Sequence, residues 1–589
     1  MAISGGYLLI DEPIIRHGIN KHTACDLTNM GDYALKAVNA IQDTPWKLNR
    51  LALDVAREFN NLGSNLSLTK NGKTEFVLRV APPLDPDHKL MPHPACKRRE
   101  DWETLSQEQR KAVTTEQATV RKLYEQEVGE FTNFARTLMA AEIMGEAEEF
   151  YFPHNMDFRT RIYPIPAYLQ PQGNDFAKGL LRFARGNTLG RQGLYWMKSI
   201  LAAHWGEDKL SHDARNAYVE DELSFGMLQR WVDDPVTNRG WIEADKPWQF
   251  LSLAFEYVTA IRTGDPESFN SFLPGNLDGS CNGAQHLSIL GRDQIGATAT
   301  NCTSDPVRHD LYQTVAQSVF ETIMKDRNTP SDIQSLAAEW LPRLENPKDR
   351  RNVVKRAVMT TPYGVTPRGI GDFMKNDGHT KGMSDEWGSA KYMRDLIVQA
   401  IEGTITCGKE IQVYFAAVAE KCAEEGKALQ WDTPAGFKVT QGYHNLVESS
   451  VRAYGTQYRV MAQPEEGQDM EEFHRLIGMN KKKMGQAASP NVVHSCDASH
   501  LQITTVRCHQ AGIRNFSMIH DSFGCPFAEM GTMRDILRQS IVDMYQEDYL
   551  TKWTDSVEGY SGLSMSDIKK PTQGTFDINE ILESEYFFS

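Results

Sequence analysis

The chain of 589 residues lacks the features that mark several classes of protein. Its nine cysteines are scattered and include no CxxC pair, which excludes a disulfide framework and disfavours a zinc site. No apolar run is long enough to cross a bilayer, and the N-terminus resembles neither a secretory signal nor a transit peptide. A cytoplasmic protein is therefore expected.

Positive charge is also scarce. The chain has 63 Lys and Arg residues against 78 Asp and Glu residues, and its net charge is −15. This balance excludes a protein that coats nucleic acid through a broad basic surface. It is compatible with an enzyme that has a basic cleft inside an acidic exterior. Local basic clusters exist, such as Lys481-Lys482-Lys483, but a charge run taken alone is usually a solvated face.

The patterns that are present predict a helix-rich α+β protein. A hydrophobic content of 40% in a chain of this length is enough for several cores, so more than one lobe is expected. Apolar residues at helical spacing predict helix within residues 37–63. Residues 102–145 are rich in Glu, Gln, Lys and Arg, which suggests exposed helices, and helices are expected to dominate residues 176–264 and 307–427. Extended segments and turns are predicted in residues 151–175, 272–286, 430–462 and 512–527, and a loop in residues 65–95.

Two aspartates lie in predicted turns. Asp278 opens the motif DGSCNGAQH after an extended piece, and Asp521 lies in IHDSFG after the apolar run that ends at Ile519. Each has a simple explanation, because an aspartate caps helices and bonds its own backbone in turns. The alternative is that Asp278, the Gly279 carbonyl and Asp521 offer oxygen ligands to a hard cation such as Mg²⁺.

A third motif, RNVVKRAVMTTPYG, helps to choose between these explanations. Arg351, Lys355, Met359 and Tyr363 are spaced four residues apart and so form one slowly drifting stripe on a helix. Arg and Lys suit a triphosphate, whereas Met and Tyr suit a base or sugar. An amphipathic helix with a basic edge remains the alternative. Pro362 predicts that the helix kinks or ends just before Tyr363.

Taken together and in order, these motifs resemble those of the single-subunit, bacteriophage- and mitochondrial-type DNA-directed RNA polymerases. DGSCNGAQH and IHDSFG resemble the two carboxylate motifs of the palm, and the stripe resembles the nucleotide-binding helix of the fingers. NMDFRTRIYPIPAYLQPQGND, NVVHSCDASH and the ending ILESEYFFS resemble further family segments. The similarity runs from about Gly5 to the end, and several ordered motifs are far more specific than one.

The resemblance implies a right-hand fold with palm, fingers and thumb. It implies Mg²⁺-dependent synthesis of RNA from ribonucleoside triphosphates on a DNA template, with release of pyrophosphate. The enzyme would transcribe phage genes, in the host cell cytoplasm if it is phage-encoded. Asp278 and Asp521, with the Gly279 carbonyl, would bind two Mg²⁺ ions. Arg351 and Lys355 would bind the nucleotide phosphates, and Lys355 would also act as a catalytic acid near the pyrophosphate.

The resemblance also implies how the rest of the nucleotide is bound. Tyr363, in concert with His494, would select ribose over deoxyribose, and Met359 would pack on the nucleotide. Further substrate-binding positions implied by the motifs are Arg161, Lys178, Lys209 and His520. Two departures from the family pattern occur. Thr160 stands where the family commonly has glycine, which puts little in doubt, and Pro362 stands where a small residue is common, which bears on how the fingers helix opens.

A hairpin of about residues 433–463 resembles the promoter-reading loop of the family. Its polar residues have the chemistry that reads base edges in a major groove, and the candidates for DNA binding are Arg452, Tyr454, Gln457 and Arg459. Arg452 and Tyr454 share one side of a strand, as do Gln457 and Arg459. An ordinary surface hairpin with polar residues remains the alternative.

The resemblance also predicts a division into domains. The expected units are a helical remnant (1–60), the thumb (61–147), the first part of the palm (148–306), the fingers (307–493) and the second part of the palm with a C-terminal foot (494–589). The family usually carries a further N-terminal domain that recognises promoter DNA. Its absence here predicts a truncated chain, a separate N-terminal subunit or promoter-recognition factor, or a different way of initiating.

Two rival functions stay open at this point. A related DNA polymerase would share the palm and the helix that carries Arg351, Lys355 and Tyr363, but Tyr363 with His494 favours RNA synthesis. An inactive or partner-dependent nucleic-acid-binding fragment would need no catalytic metal, and the intact carboxylates argue against it.

Overall fold

The computed structural model describes residues 14–16, 31–70, 73–83, 99–329, 333–445, 448–453, 456–461 and 470–589. Tyr454 and about half of the predicted segment 1–60 lie outside the described residues. The side chains of residues 448–461 lie outside them as well.

Helices make up most of the described chain, in agreement with the predicted helix-rich class. The helices of the first half are α1 (Ala34–Gln42), α2 (Arg50–Leu62), α3 (Arg99–Thr104), α4 (Gln107–Met144), α5 (Asp175–Gly179), α6 (Gly190–Trp205), α7 (His212–Asp221), α8 (Phe225–Asp233), α9 (Pro247–Arg262), α10 (Asn282–Leu290) and α11 (Gln294–Ala299). Those of the second half are α12 (Leu311–Arg327), α13 (Gln334–Trp340), α14 (Pro347–Thr360), α15 (Pro367–Asn376), α16 (Glu386–Thr404), α17 (Gly408–Glu424), α18 (Met470–Ile477), α19 (Lys481–Gln510), α20 (Met530–Tyr545), α21 (Tyr549–Ser561) and α22 (Glu580–Glu583). None of the helices in the described part of the chain is long and apolar enough to span a membrane.

The described strands are short and form two-stranded antiparallel pairs. The strands are β1 (Trp46–Leu48), β2 (Leu66–Lys70), β3 (Lys73–Leu78), β4 (His154–Met156), β5 (Ile162–Pro164), β6 (Leu181–Phe183), β7 (Asn187–Thr188), β8 (Asn270–Ser271), β9 (Pro274–Asp278), β10 (Leu429–Asp432), β11 (Lys438–Gln441), β12 (Glu448–Ala453), β13 (Thr456–Met461) and β14 (Ser522–Pro526). The pairs are β1–β6, β2–β3, β4–β5, β7–β8, β9–β14, β10–β11 and β12–β13. Strand material in separated pieces confirms the α+β prediction.

One prediction about local structure is wrong. The sequence predicts a loop over residues 65–95, but β2 and β3 pair as a hairpin between Leu66 and Leu78. Residues 71–72 and 84–95 of this segment lie outside the described residues. Leu66 and Leu78 lie opposite each other and are both buried. The alternation of apolar and polar residues in LSLTK and KTEFVL buries one face of the hairpin, and this outweighs the lysines that suggested a loop.

Buried apolar side chains form two clusters. The larger runs from α1 to the C-terminus and contains Trp241, Trp248 and Trp553. The smaller one contains Trp340 and Met393 and is built largely by α12 to α16. Most of the second core lies inside the predicted fingers, with Cys281, Ala284 and Ala299 added from the segment before them. The predicted domain boundaries themselves stay predictions.

The helix α19 connects the parts that matter for function. It is buried over most of its length, and it packs against α17 and α20. The chain that leaves α14 turns at Gly364, which has a φ of 72° and lies against Pro490 of α19. Because this turn packs on α19, it brings the end of the predicted nucleotide-binding helix next to His494.

Candidate active site

Asp278 and Asp521 lie side by side although they are far apart in sequence. Asp278 is the last residue of β9 and pairs in register with Ser522, the first residue of β14. Asp521 lies in the turn just before Ser522, and its carbonyl accepts a hydrogen bond from the Gly279 amide at 3.2 Å. We call Asp278, Gly279, His520 and Asp521 the carboxylate turn. The helix that follows begins after Cys281, so Asp278 does not serve as its cap.

The turn itself is tight. Ile519 and Ser522 exchange two backbone hydrogen bonds of 2.7 and 2.8 Å, which leaves His520 and Asp521 as a two-residue hairpin loop. His520 has a φ of 51°, a conformation that residues other than glycine seldom adopt. Its ring packs edge-on against Tyr163 at 4.8 Å between centroids. Asp521 is thereby presented at the tip of the hairpin, beside Asp278.

The electrostatics of the carboxylate turn favour a cation. Burial raises the pKa of Asp521 above its ordinary value, and the negative charge of Asp278 raises it further. The Asp278 side chain is 54% exposed, and its Oδ2 atom lies 3.6 Å from the Lys246 ammonium. Burial lowers the pKa of His520 to about 4, so this neighbouring ring is neutral near pH 7.

A cavity of about 330 Å³ opens beside the two carboxylates. It is lined by both aspartates, by Lys178 of α5 and by Lys246 at the start of α9. Burial lowers the pKa of Lys178, and the second ammonium, on Lys246, lowers it further. The cavity therefore combines two ammonium groups with two carboxylates within one small volume.

The predicted nucleotide-binding helix ends as the sequence indicates. α14 stops at Thr360, a single 3₁₀ turn spans Thr361–Tyr363, and Gly364 closes it in the left-handed conformation. The Gln412 side chain on α17 donates a hydrogen bond of 2.7 Å to the Thr361 carbonyl and holds this junction. The prediction that Pro362 ends the helix is confirmed.

The stripe on α14 is only partly engaged with other side chains. The Arg351 guanidinium donates to Asp310 at 2.8 Å, and Lys209 lies 4.0 Å from the same carboxylate. Lys355 and Met359 are exposed. Asp310 also caps α12 by accepting a hydrogen bond from the Gln313 amide at 3.1 Å. One carboxylate therefore anchors a helix and contacts two of the predicted substrate-binding cations, Arg351 and Lys209.

Tyr363 and His494 form a close pair, which we call the ring pair. Their ring centroids are 4.4 Å apart at an angle of 30°. Burial, and then the charges of Arg161 and Arg159, lower the pKa of His494 to about 2, so its ring is neutral at physiological pH. Arg159 donates to the Nδ1 atom of His494 at 2.7 Å. Because Nδ1 accepts, the ring proton resides on Nε2, which is left as a hydrogen-bond donor.

An ion pair lies behind the ring pair. Arg161 contacts both carboxylate oxygens of Asp497 on α19, with an Nε–Oδ1 distance of 3.0 Å. Burial raises the pKa of Asp497 to about 6, although Arg161 acts in the opposite direction. Thr160, just before Arg161, has a φ of 72° and a buried hydroxyl without a hydrogen-bond partner. The position where the family commonly has glycine is therefore a left-handed one.

The candidate residues for reading DNA lie apart from these contacts, on the β12–β13 hairpin. Its register pairs Arg452 with Gln457 and Ser450 with Arg459. The fourth candidate, Tyr454, lies outside the described residues. The predicted hairpins within residues 430–462 are confirmed as β10–β11 and β12–β13.

Sequence reasoning missed four residues that shape the site. Lys246 pairs with Asp278, Asp310 gathers Arg351 and Lys209, and the remaining two are Arg159 and Asp497. Asp310 was detectable as a helix cap, because an aspartate precedes the apolar period of α12. The other three form contacts over long sequence separations, which no local pattern reports.

Comparison with known proteins assigns the chain to a family. The sequence model of the family described as DNA-dependent RNA polymerase matches residues 187–569. The chain is 33% identical over 467 residues to the chloroplastic/mitochondrial DNA-directed RNA polymerase 2 of Arabidopsis thaliana, covering 77% of this chain and 44% of that protein. It is 30% identical over 567 residues to the mitochondrial DNA-directed RNA polymerase 1 of the same plant, covering 94% of this chain and 54% of that protein.

The chain spans about half the length of these curated relatives. Among solved structures, it is similar to the POL domain of Pol1 from M. smegmatis in complex with DNA primer-template and dNTP. That match has a TM-score of 0.26 and 14% identity, and it covers 60% of this chain and 64% of the other. The family match includes Asp278, the stripe on α14 and Asp521. The chain belongs to the family of DNA-dependent RNA polymerases.

Proposed function

We propose that the chain is a DNA-directed RNA polymerase that extends RNA on a DNA template from ribonucleoside triphosphates and releases pyrophosphate. The observation that carries the proposal is the carboxylate turn, in which the β9–β14 pairing brings Asp278 beside Asp521. Two adjacent carboxylates, together with a helix that carries Arg351 and Lys355 and is followed by Tyr363, suit the transfer of a nucleotide to a hydroxyl.

The donor atoms of the carboxylate turn suit Mg²⁺, and the proposal includes two such ions. Its donors are hard oxygen atoms, from the carboxylates of Asp278 and Asp521 and the carbonyl of Gly279, and Mg²⁺ leaves its other positions to water and phosphate. Burial first, and then the charge of Asp278, raise the pKa of Asp521, and a bound dication would stabilise its charged form. When bound, the ions would activate the RNA 3′-hydroxyl and stabilise the leaving phosphates.

Three cations of the chain would bind the triphosphate. Arg351 and Lys209 already converge on Asp310, and a triphosphate carries more charge than one carboxylate, so it would recruit both. Lys355 is exposed and makes no ion pair with any described residue. It would hold the phosphates and supply a proton to the departing pyrophosphate.

The ring pair would select the sugar. The Nε2–H group of neutral His494 and the hydroxyl of Tyr363 are hydrogen-bond groups suited to a ribose 2′-hydroxyl. Met359, which is exposed at the end of α14, would pack against the nucleotide. Lys178, which lines the cavity, and His520, at the tip of the hairpin, would support the end of the growing strand.

The wider setting belongs to the same proposal. The partners would be template DNA and the RNA transcript, and Arg452, Gln457 and Arg459 on the β12–β13 hairpin would contact promoter DNA. A separate N-terminal subunit or promoter-recognition factor would complete recognition. The resemblance to phage enzymes supports transcription of phage genes in the host cytoplasm, whereas the relatives compared above carry the names of plant organellar enzymes.

Extension of a primed RNA–DNA hybrid tests the function. Asp278→Asn and Asp521→Asn should each lower the rate by at least about a thousandfold, because each removes a charged ligand from the centre of the reaction. Asp233→Asn is the matched control, since its exposed carboxylate pairs only with Arg262 among the described residues and lies outside the cavity. It should extend RNA at the rate of the unmodified chain.

Near-normal extension by either active-site variant would contradict the assignment of the carboxylate turn. Competition between ribonucleotides and deoxyribonucleotides in the same assay separates the proposal from a DNA polymerase. Binding of the hybrid without any Mg²⁺-dependent extension by the unmodified chain would identify a nucleic-acid-binding fragment instead.

A further inference from the structure

Lys246 stands opposite the exposed catalytic carboxylate, on a different element of the fold. It precedes Pro247 at the start of α9, and its backbone amide donates to the His204 carbonyl at 3.0 Å. Its ammonium lies 3.6 Å from Oδ2 of Asp278. Among the described residues, it is the one cation in ion-pair contact with Asp278. The position of its main chain is therefore fixed, while its side chain, 43% exposed, retains freedom to move.

Among the described residues, the other groups around this ion pair form no ion pair with Lys246 or Asp278. Lys178 lines the same cavity, but it is not within ion-pair distance of Asp278. His204 also lines the cavity, and burial lowers its pKa well below the ordinary value, so it carries no charge near pH 7. The buried carboxylate of Asp175 accepts hydrogen bonds from the Trp248 and Gln249 amides instead of pairing with Lys246. Lys246 is thus the cation in ion-pair contact with Asp278, while Lys178 acts on the same carboxylate from farther away.

A metal ion that binds Asp278 must compete with this ammonium. Both bind the same carboxylate oxygens, and the positive charges of the ammonium and the dication repel each other at this distance. We propose that Lys246 is a positioning residue that holds Asp278 in place and weakens metal binding to the free enzyme. Metal then binds well only when the anionic nucleotide or nucleic acid brings further oxygen ligands and draws the ammonium away. The inference rests on the proposed function, because it takes the carboxylate turn as the metal site.

Binding of Mn²⁺ to the full chain, without nucleic acid or nucleotide, tests the inference. Free Mn²⁺ can be followed by electron paramagnetic resonance, and Mn²⁺ accepts the same oxygen ligands as Mg²⁺. Lys246→Met should tighten Mn²⁺ binding by about two- to fivefold, the scale of a partly exposed ion pair. Lys246→Arg should bind Mn²⁺ as the unmodified chain does. High salt should reduce the difference in Mn²⁺ affinity between Lys246→Met and the unmodified chain, because it screens the ion pair.

Lys198→Met is the matched control. Lys198 pairs with Glu220 at 2.5 Å and does not line the cavity, so its loss should leave Mn²⁺ affinity unchanged. Unchanged or weaker Mn²⁺ binding by folded Lys246→Met would overturn the inference. If Lys246→Met is too unstable to measure, Lys246→Gln provides a second neutral variant. An equal gain in Lys198→Met would overturn it as well, since the effect would then come from net charge.

Asp278→Asn separates this inference from the proposed function. If Asp278→Asn weakens Mn²⁺ binding by about tenfold or more while Lys246→Met does not tighten it, only the role of Lys246 fails. If Asp278→Asn leaves Mn²⁺ binding unchanged, the metal site of the proposed function fails first. If Lys246 has only a structural role, Lys246→Met would have a lower melting temperature and no higher affinity for Mn²⁺.

Discussion

The carboxylate turn and the ring pair serve the same proposed reaction but are held in opposite ways. In the carboxylate turn, Asp278 is half exposed and is paired with Lys246 at a distance of 3.6 Å. In the ring pair, the two rings lie 4.4 Å apart, and Arg159 fixes His494 by a hydrogen bond of 2.7 Å. A buried ion pair between Arg161 and Asp497 supports the ring pair from behind.

This difference separates two kinds of demand. Groups that bind metal and reacting phosphate must exchange partners during a cycle, so tight partners inside the protein would oppose their function. Groups that discriminate between sugars bind more tightly when they are already ordered, because ordering them during binding would cost affinity. Changes near the ring pair should therefore damage folding, whereas changes in the carboxylate turn should damage chemistry with little effect on folding.

The largest expected effect on folding comes from Arg161→Met. It leaves the Asp497 carboxylate buried without its partner, which should cost about 3–5 kcal/mol of stability. Arg57→Met is the matched control, since Arg57 pairs with Asp54 and Glu142 at the surface and should cost less than about 1 kcal/mol. Melting temperatures would measure both. Similar small losses of stability in Arg161→Met and Arg57→Met would contradict the difference between the ring pair and the carboxylate turn. A large loss of stability in Asp278→Asn would contradict it as well.

A smaller effect is expected from His494→Gln, and it depends on pH. The pKa of His494 is lowered to about 2 in the folded chain, against about 6.5 in the unfolded chain. Below pH 6.5 the unfolded chain therefore binds a proton that the folded chain does not, and stability falls as pH falls. The variant lacks this pH-dependent loss. As the pH falls from 7.5 to 5, its free energy of unfolding should therefore rise by about 1–2 kcal/mol relative to that of the unmodified chain.

Thermal melting at several pH values would measure the change. His509→Gln, at a partly exposed position near the end of the same helix, is the control and should follow the unmodified chain. A difference for His494→Gln that does not vary with pH would mean that the ring of His494 is not held neutral.

The smallest expected effect is at Thr160, next to Arg161. A left-handed φ of 72° costs a β-branched residue about 1–2 kcal/mol, whereas glycine adopts it freely. Thr160→Gly should therefore be more stable than Thr160→Ala by about 1 kcal/mol, since alanine keeps the strain and both remove the buried hydroxyl. Melting temperatures of the two variants would measure the difference. Equal stability would show that the backbone relaxes at this position.

Much of the fold was predictable because its signals are local. Local signals predict the long helix α4 from its charged composition, the end of α14 from Pro362, and the hairpins after Leu429 from alternation around turn residues. The predicted helix-rich right-hand polymerase, of the single-subunit phage and mitochondrial type, is confirmed by the family to which the chain belongs. Family motifs also identified the candidate aspartates, which no single turn could have distinguished from ordinary structural ones.

The contacts that tune the site were not predictable. Arg161 meets Asp497 across 336 positions, and nothing in either segment signals the other. From the sequence, Thr160 is a minor departure from the family pattern, because the sign of φ at that position is not visible in one sequence. Lys246 stands in an ordinary Lys-Pro helix start, and its importance depends on a strand that arrives from elsewhere in the chain.

The pairing of β9 with β14 also has a consequence for synthesis on the ribosome. Asp278 and Ser522 are partners that lie 244 positions apart, so β9 leaves the ribosome long before its partner exists. At ordinary translation speeds that interval is about 12–50 s. During it, β9 is an unpaired edge that carries Leu277, a residue that is fully buried once folded. A nascent chain of this protein therefore needs other contacts, or a chaperone, to protect that edge until β14 is made.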